Sequence, residues 1–298
     1  MIHELAFKPD QIFLVGAGGV GSRICAELAF FVRGNFRDLP QTMTTIIDHD
    51  HVSPRNLNRQ LYYPHEVSNK SKGQILTERY RDMFRINQIP EAINADTLSR
   101  IFSPDVLSQK VLIICAADNG LVVKQTFEHV IANAQNDYLL VFTGANLKEN
   151  EIQGQTISTG AGQAFAYGVV RGTPLFPAPP SETLLDIMSL TGYGPSVSGQ
   201  NCGVDDTSGA QTPLMNQSCA TASMTILNFF FEKGIFIPSI YFTDGMEFTF
   251  ADHILMSSLE DTEIPNLEEL FEEEEDIYED YESDTLSELA EDIVEVPA

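Results

Sequence analysis

Ile12-Phe13-Leu14-Val15 runs directly into Gly16-Ala17-Gly18-Gly19-Val20-Gly21-Ser22. A short apolar run stopped by glycines reads as a buried strand. The residues that follow, Ile24, Leu28 and Phe31 with Ala26 and Ala29 between them, read as a helix. Thr44-Thr45-Ile46-Ile47-Asp48 is then a β-branched second strand ending in a carboxylate. Glycines let a backbone approach phosphate closely, and a helix N-terminus favours anions. Gly16, Gly18, Gly19 and Gly21 are therefore candidate nucleotide-binding residues. On its own, such a turn fits a nicotinamide or flavin enzyme at least as well as any other nucleotide binder.

Strand, glycine turn, helix and strand make a Rossmann-like unit, with its nucleotide site at the strand ends. A polar loop from Asp50 to Asn69 leads to a helix predicted from about Lys72 to Ile86. Val111 to Cys115 reads as a buried parallel-type strand, Val122 to Ala134 as a helix and Leu139 to Thr143 as another strand. Glu151 to Thr159 looks like one strand of a hairpin. Gly160 to Gly209 is rich in Gly, Pro and Ser and far longer than an ordinary connection, so a mobile functional loop is expected over about 160–210. Pro213 to Lys233 follows as a long apolar helix, and Ile235 to Phe250 supplies one or two final strands. The expected fold class is α/β: a Rossmann-like, mostly parallel central sheet flanked by helices and extended by later antiparallel strands.

Charge separates the chain into two parts. Of the 43 acidic residues, 18 lie between Glu260 and Glu295, and no Lys or Arg follows Lys233. The domains expected are 1–258, a folded body, and 259–298, a disordered acidic tail. Such a surface repels nucleic acid, so no nucleic-acid partner is expected. No apolar run is long enough for a membrane span, and the N-terminus lacks a secretion signal, so a cytoplasmic protein is expected. Cys25, Cys115, Cys202 and Cys219 form no C-x-x-C pair, which speaks against structural zinc and against a disulfide framework.

A second block narrows the choice. Asp48-His49-Asp50-His51-Val52-Ser53-Pro54-Arg55-Asn56-Leu57-Asn58-Arg59-Gln60 resembles the D-x-D-x-V-x-x-x-N-L-x-R-Q stretch of the ThiF/MoeB/ubiquitin-activating superfamily. Lys72 falls where that family keeps a lysine before a helix. Asp118-Asn119 follows the Val111 strand as the family's metal-binding aspartate and asparagine do. The agreement in order and spacing covers Ile12 to Thr159 well and the helix from Pro213 loosely. The variant pattern looks closest to bacterial plasmid- or phage-associated ThiF-like proteins. The resemblance implies an ATP- and Mg2+-dependent adenylyltransferase acting on the C-terminal glycine of a ubiquitin-like protein, and a homodimer.

The residue types suit that chemistry. Activating a carboxylate means in-line attack on the α-phosphate, so catalysis is mainly positioning and charge neutralisation. Asp48, beyond the glycine turn, is placed to accept from ribose hydroxyls. Arg59 offers a bidentate fork to phosphate, and Lys72 a compact second cation. Asp118 is the natural Mg2+ ligand. Asn56 can brace the phosphates without adding charge, and Asn119 completes the set. Asp50 reads either as a second ribose contact or as a solvated loop residue. His49 and His51 read as ordinary loop histidines, and Lys70 as a neighbour of Lys72.

Family members that pass the activated protein onward carry a nucleophilic cysteine after the hairpin. Cys202, in a polar Gly/Pro segment, is the candidate for thioester formation. Cys219 lies among small residues suited to tight helix packing, and Cys25 and Cys115 read as buried. This chain lacks the paired C-x-x-C zinc motif and the N-terminal arginine seen in other members; Arg23, at the helix start, stands where it can compensate. The tail reads either as a solubilising segment with transient helicity or as a docking segment for a conjugating enzyme or sulfur acceptor, with a capping box at Thr285 to Glu288; Ile293 to Val296 resembles an acidic-flanked strand that pairs with the sheet edge of ubiquitin-like proteins. Two other readings stay open. A nucleotide-dependent oxidoreductase leaves Arg59, Lys72 and Asp118 without a joint purpose. A non-catalytic, partner-binding ThiF-like protein leaves the intact charged set unexplained.

Overall fold

The computed structural model describes residues 6–35, 42–117, 119–152, 155–175, 213–243, 247–250 and 254–255. Five strands, β1 (Gln11–Val15), β2 (Met43–Ile47), β3 (Ile86–Ile89), β4 (Val111–Cys115) and β5 (Tyr138–Ile152), run parallel in the order 3-2-1-4-5. β1 is central, with Val15 paired to Ile47 on one side and to Cys115 on the other. The chain builds outward through β2 and β3, then returns across β1 to add β4. That reversal opens a crevice at the carboxyl ends of β1 and β4, where open α/β sheets bind ligands.

The sheet continues antiparallel. β6 (Gln155–Val170) pairs back along β5, and β7 (Thr173–Pro174) folds onto β6 through Arg171 and Gly172. Those two turn residues have φ of 53° and 78°, as a two-residue hairpin with both centres left-handed requires. β8 (Ile235–Phe236) lies outside this sheet, β9 (Ser239–Thr243) pairs with β6, and β10 (Glu247–Phe250) pairs with β9. β11 (Ile254–Leu255) pairs with β8.

Helices cover both faces: α1 (Gly19–Asn35), α2 (Lys72–Tyr80), α3 (Ala95–Ile101), α4 (Pro104–Leu107), α5 (Gly120–Asn133) and α6 (Pro213–Asn228). Alternation along the strands sends Phe13, Ile113, Leu140 and Tyr167 to one face, where Phe102, Phe127 and Val130 from the α3–α5 side meet them. Ile12, Leu14, Leu112 and Ile114 alternate to the other face, buried at 0% exposure. Each such side chain contributes about 1.5–3 kcal/mol of burial energy. α1 and α6 pack against each other, and α6 lies against β5 and β6. Beyond Asn228 the helix widens into one π turn, Phe229–Lys233, and ends on Gly234 at φ 64°. There Phe230 and Phe231 pack edge to face, 4.8 Å between centroids, and both meet Phe7.

The mostly parallel α/β architecture with its antiparallel extension is as expected. Several boundaries differ. The helix predicted to reach Ile86 stops at Tyr80, and Ile86 opens β3, since Ile-Asn-Gln-Ile serves either period and pairing with Thr44 to Ile47 decides it. β5 extends from Tyr138 to Ile152, well past Thr143. The long loop expected from Gly160 is strand as far as Val170, because β5 and β9 on either side satisfy its backbone. The remainder of that segment, 176–212, and the acidic tail lie outside the described residues. Among the described residues, no helix is long and apolar enough to cross a membrane.

Candidate functional site

The four glycines after β1 do different work. Gly16 has φ 88°, and a Cβ on it would sit 2.8 Å from the Ala116 carbonyl oxygen, so it lets the end of β1 pass the end of β4. A Cβ on Gly21 would lie 1.9 Å from the Gly16 oxygen, which seats α1 directly on the turn. A Cβ on Gly19 would collide with Asn216 of α6. Gly18 alone faces open space, with nothing within 4 Å of such a Cβ. The first N–H groups of a helix have no intrahelical partner, and α1 begins at Gly19, next to this opening.

Asp48 stands where β2 ends and fixes the turn from below. Its Oδ2 accepts from Ala17 N at 2.6 Å and its Oδ1 from Asp50 N at 2.8 Å. Burial raises its pKa above the ordinary carboxylate value, opposed by nearby Lys72 and by the two backbone N–H groups. Lys72 is buried at the first position of α2, a helix capped by Ser71, whose hydroxyl accepts from Gln74 N. Its ammonium lies 3.1 Å from Asp50 Oδ2, while Asp50 itself is exposed. Partial burial works against ionisation of Asp50, but Lys72 and the two flanking histidines outweigh it and hold its pKa low.

The polar loop between Asp50 and Lys72 is clamped onto the glycine turn. Tyr62 donates its hydroxyl to Ala17 O at 2.7 Å, and Leu61 N donates to Ser22 Oγ at 3.1 Å. Asn216 Nδ2 donates to Arg59 O at 3.0 Å. The far end is held by Arg79, which pairs with Glu66, donates to Leu61 O at 3.0 Å and lies over the Tyr63 ring. Arg59, half-buried, is thereby carried beside the turn. Asn56 is buried, but its Oδ1 accepts from Ser53 N and Ser53 Oγ, which commits that oxygen to the local turn. Lys70 pairs with Glu78, away from Lys72.

At the end of β4, Asn119 caps α5 by accepting from Leu121 N at 2.9 Å. Asp118 and Cys202 lie outside the described residues. Cys25, Cys115 and Cys219 are fully buried, and burial pushes each thiol up to about 12. The fold therefore brings Gly16, Gly18, Gly19, Gly21, Asp48, Asp50, Arg59 and Lys72 together at the carboxyl ends of β1 and β2, and Asn119 follows the end of the adjacent β4.

Sequence reasoning missed Ser22, Tyr62 and Asn216, which hold the loop in place and carry no local signal. Gln60 was visible as the last residue of the D-x-D to R-Q stretch and received no role. Arg23 Nε, Gln60 Oε1 and Asn216 Oδ1 are buried with no hydrogen-bond partner among the described residues. Such atoms are met by an ordered water or by a bound polar group. Open space at Gly18, unpaired helix N–H groups and the Lys72 cation suit an anionic, phosphate-bearing one.

Comparison with known proteins bears on the family and the fold. The adenylyltransferase and sulfurtransferase uba4 of Ogataea parapolymorpha is 28% identical over 102 residues, which span 33% of this chain and 24% of that protein. E. coli MccB, solved with AMPCPP and MccA, shares the fold at TM-score 0.51 and 16% identity over 82% of this chain and 64% of its own. E. coli tRNA N6-threonylcarbamoyladenosine dehydratase, TcdA, overlaps less, at TM-score 0.38 and 25% identity over 47% of this chain and 54% of its own. The ThiF family model matches residues 6–261. With its glycine turn, clamped loop and five-strand parallel core all inside that span, the chain belongs to the ThiF family.

Proposed function

We propose that this protein binds ATP in the crevice at Gly18 and adenylates the C-terminal carboxylate of a ubiquitin-like protein. The carrying observation is the convergence of Asp48, Lys72 and the Arg59 segment on a glycine turn whose one open position faces the crevice. Asp48 keeps acceptor capacity beyond its two backbone N–H bonds and takes the ribose. Lys72 and Arg59 neutralise phosphate charge, and the first N–H groups of α1 bind the phosphate oxygens. Asp118, just after β4, supplies the Mg2+ ligand in this reading, and Mg2+ contributes charge neutralisation when bound.

A carboxylate oxygen of the substrate attacks the α-phosphorus, the bond to the bridging oxygen breaks, and pyrophosphate leaves with its electron pair. The product is an acyl-adenylate. Where Cys202 takes part, its thiolate attacks the acyl carbon and AMP departs, leaving a thioester. A homodimer, which the family resemblance implies, and a tail that docks the next acceptor belong to the same reading. The test is incorporation of labelled pyrophosphate into ATP in the presence of a ubiquitin-like protein ending in glycine. Exchange that needs Mg2+ and is lost in Asp118→Ala is expected. Nucleotide binding without exchange would instead mark a non-catalytic, partner-binding member.

A further inference from the structure

α6 and α1 lie side by side with their N-terminal ends together. Asn216, in the first turn of α6, meets Gly19 at one end, and Asn35 Nδ2 donates to Glu232 Oε1 at 3.1 Å at the other. Asn216 is completely buried, at 0% exposure. Its amide occupies the volume a side chain at position 19 would need, since a Cβ there would lie 2.2 Å from Asn216 Nδ2. The same Nδ2 reaches across to the Arg59 carbonyl. One buried amide thus touches three segments far apart in sequence: α6, the phosphate-facing turn of α1, and the loop that carries Arg59.

Packing alone does not explain an asparagine here. An apolar side chain of similar size would fill the gap without a buried polar atom, and Oδ1 has no partner among the described residues. A fully buried amide oxygen left this way is a cost that a donor from a bound molecule or an ordered water relieves. The donor side has a definite task. Arg59 and Gln60 already bond locally to the Asn56 carbonyl, which shapes the loop without locating it. Placement of the loop against the glycine turn rests on three contacts: Tyr62 to Ala17, Leu61 to Ser22 and, for Arg59 itself, Asn216 to the Arg59 carbonyl.

We infer that Asn216 is a positioning residue of the phosphate site: it sets the distance between Arg59 and the glycine turn and couples α6 to nucleotide binding. This rests on the nucleotide reading proposed above. It acts through Arg59 and needs no contact with the reacting atoms.

Asn216→Asp keeps the shape but removes the donor, and Asn216→Ala removes both bond and bulk. Asn216→Leu keeps the bulk without either polar atom, and so serves as a second route if the other variants fold poorly. Calorimetry on the full chain measures affinity for ATP and for adenosine, which reaches Asp48 but not Arg59. Each variant should bind ATP about tenfold or more weakly while adenosine affinity stays within about twofold. A merely structural role would lower both together, and equal losses, or none, overturn the inference. Hydrogen exchange at Arg59 to Tyr62 in nucleotide-free protein separates this claim from the nucleotide reading. Asn216→Ala should speed it about tenfold, and unchanged exchange overturns the coupling even if wild type binds ATP. Wild type that binds neither ligand, with exchange accelerated in the variant, would defeat the nucleotide reading and leave standing only the coupling of α6 to the Arg59 loop.

Discussion

The Lys72 ammonium sits 3.1 Å from the Asp50 carboxylate, and the Lys72 backbone N–H donates to the Asp50 carbonyl at 2.7 Å. The pair is unequal: the lysine is buried and the aspartate exposed. Removing Asp50 strands a buried cation, whereas an anionic ligand can take the place of Asp50. Asp50→Ala should lower the thermal midpoint of nucleotide-free protein by about 3 °C or more. Saturating ATP should then raise the midpoint further in the variant than in wild type, by ordinary mass-action linkage. Equal ATP shifts in a thermal-melt comparison would remove the resting-partner role.

Arg59→Ala and Lys72→Ala should each slow pyrophosphate exchange by about 10²-fold or more, the scale of losing one charge-stabilising donor. Arg59→Lys should recover only part of the loss, since an ammonium cannot reproduce a bidentate fork. Steady-state exchange rates check this. Rates within a small factor of wild type for both alanine variants would sink the site assignment.

Asp48 gives the site an acid limit. Burial raises its pKa, so the native state takes up this proton at a pH where the unfolded chain has released it. Its contribution to stability therefore grows as pH falls toward the ordinary carboxylate range, opposite in sign to a paired carboxylate such as Asp50. In the proposed ATP complex, protonation would also remove an acceptor from the ribose. As pH falls toward the ordinary carboxylate range, ATP affinity should fall while the thermal midpoint does not fall in parallel. Binding titrations and melts over that range test it, and Asp48→Asn should bind weakly with no acid-side step.

Three of the four thiols should be silent. Burial holds Cys25, Cys115 and Cys219 near a pKa of about 12. At about pH 8 roughly one in ten thousand of each is thiolate. A thiol reagent under native conditions should label no more than one site per chain, and none in Cys202→Ala. Incubation with ATP and a ubiquitin-like partner should give a reductant-sensitive band that disappears in Cys202→Ala and persists in Cys219→Ala. Pyrophosphate exchange should survive loss of Cys202, because adenylation needs no thiol. Intact exchange with no band would send the adenylate straight to another acceptor.

Local order determined what could be read directly. β1, the glycine turn, α1 and β2 follow from contiguous periodicity and from residues that only special backbone geometry requires. Asp48, Arg59 and Lys72 stood out because their spacing repeats a motif within one stretch of chain. Gly160 to Val170 misled because its glycines mimic a loop, while its strand state depends on β5 and β9 pairing from either side. Ile86 to Ile89 was ambiguous until β2 offered a partner. The contacts that assemble the site are longer in range: Tyr62 to Ala17, Leu61 to Ser22, and above all Asn216 to Arg59, 157 residues apart. Nothing near Asn216 in the sequence encodes that contact. It exists because the sheet order brings the first turns of α6 and α1 to the same crevice, and a glycine at position 19 leaves room for the amide between them.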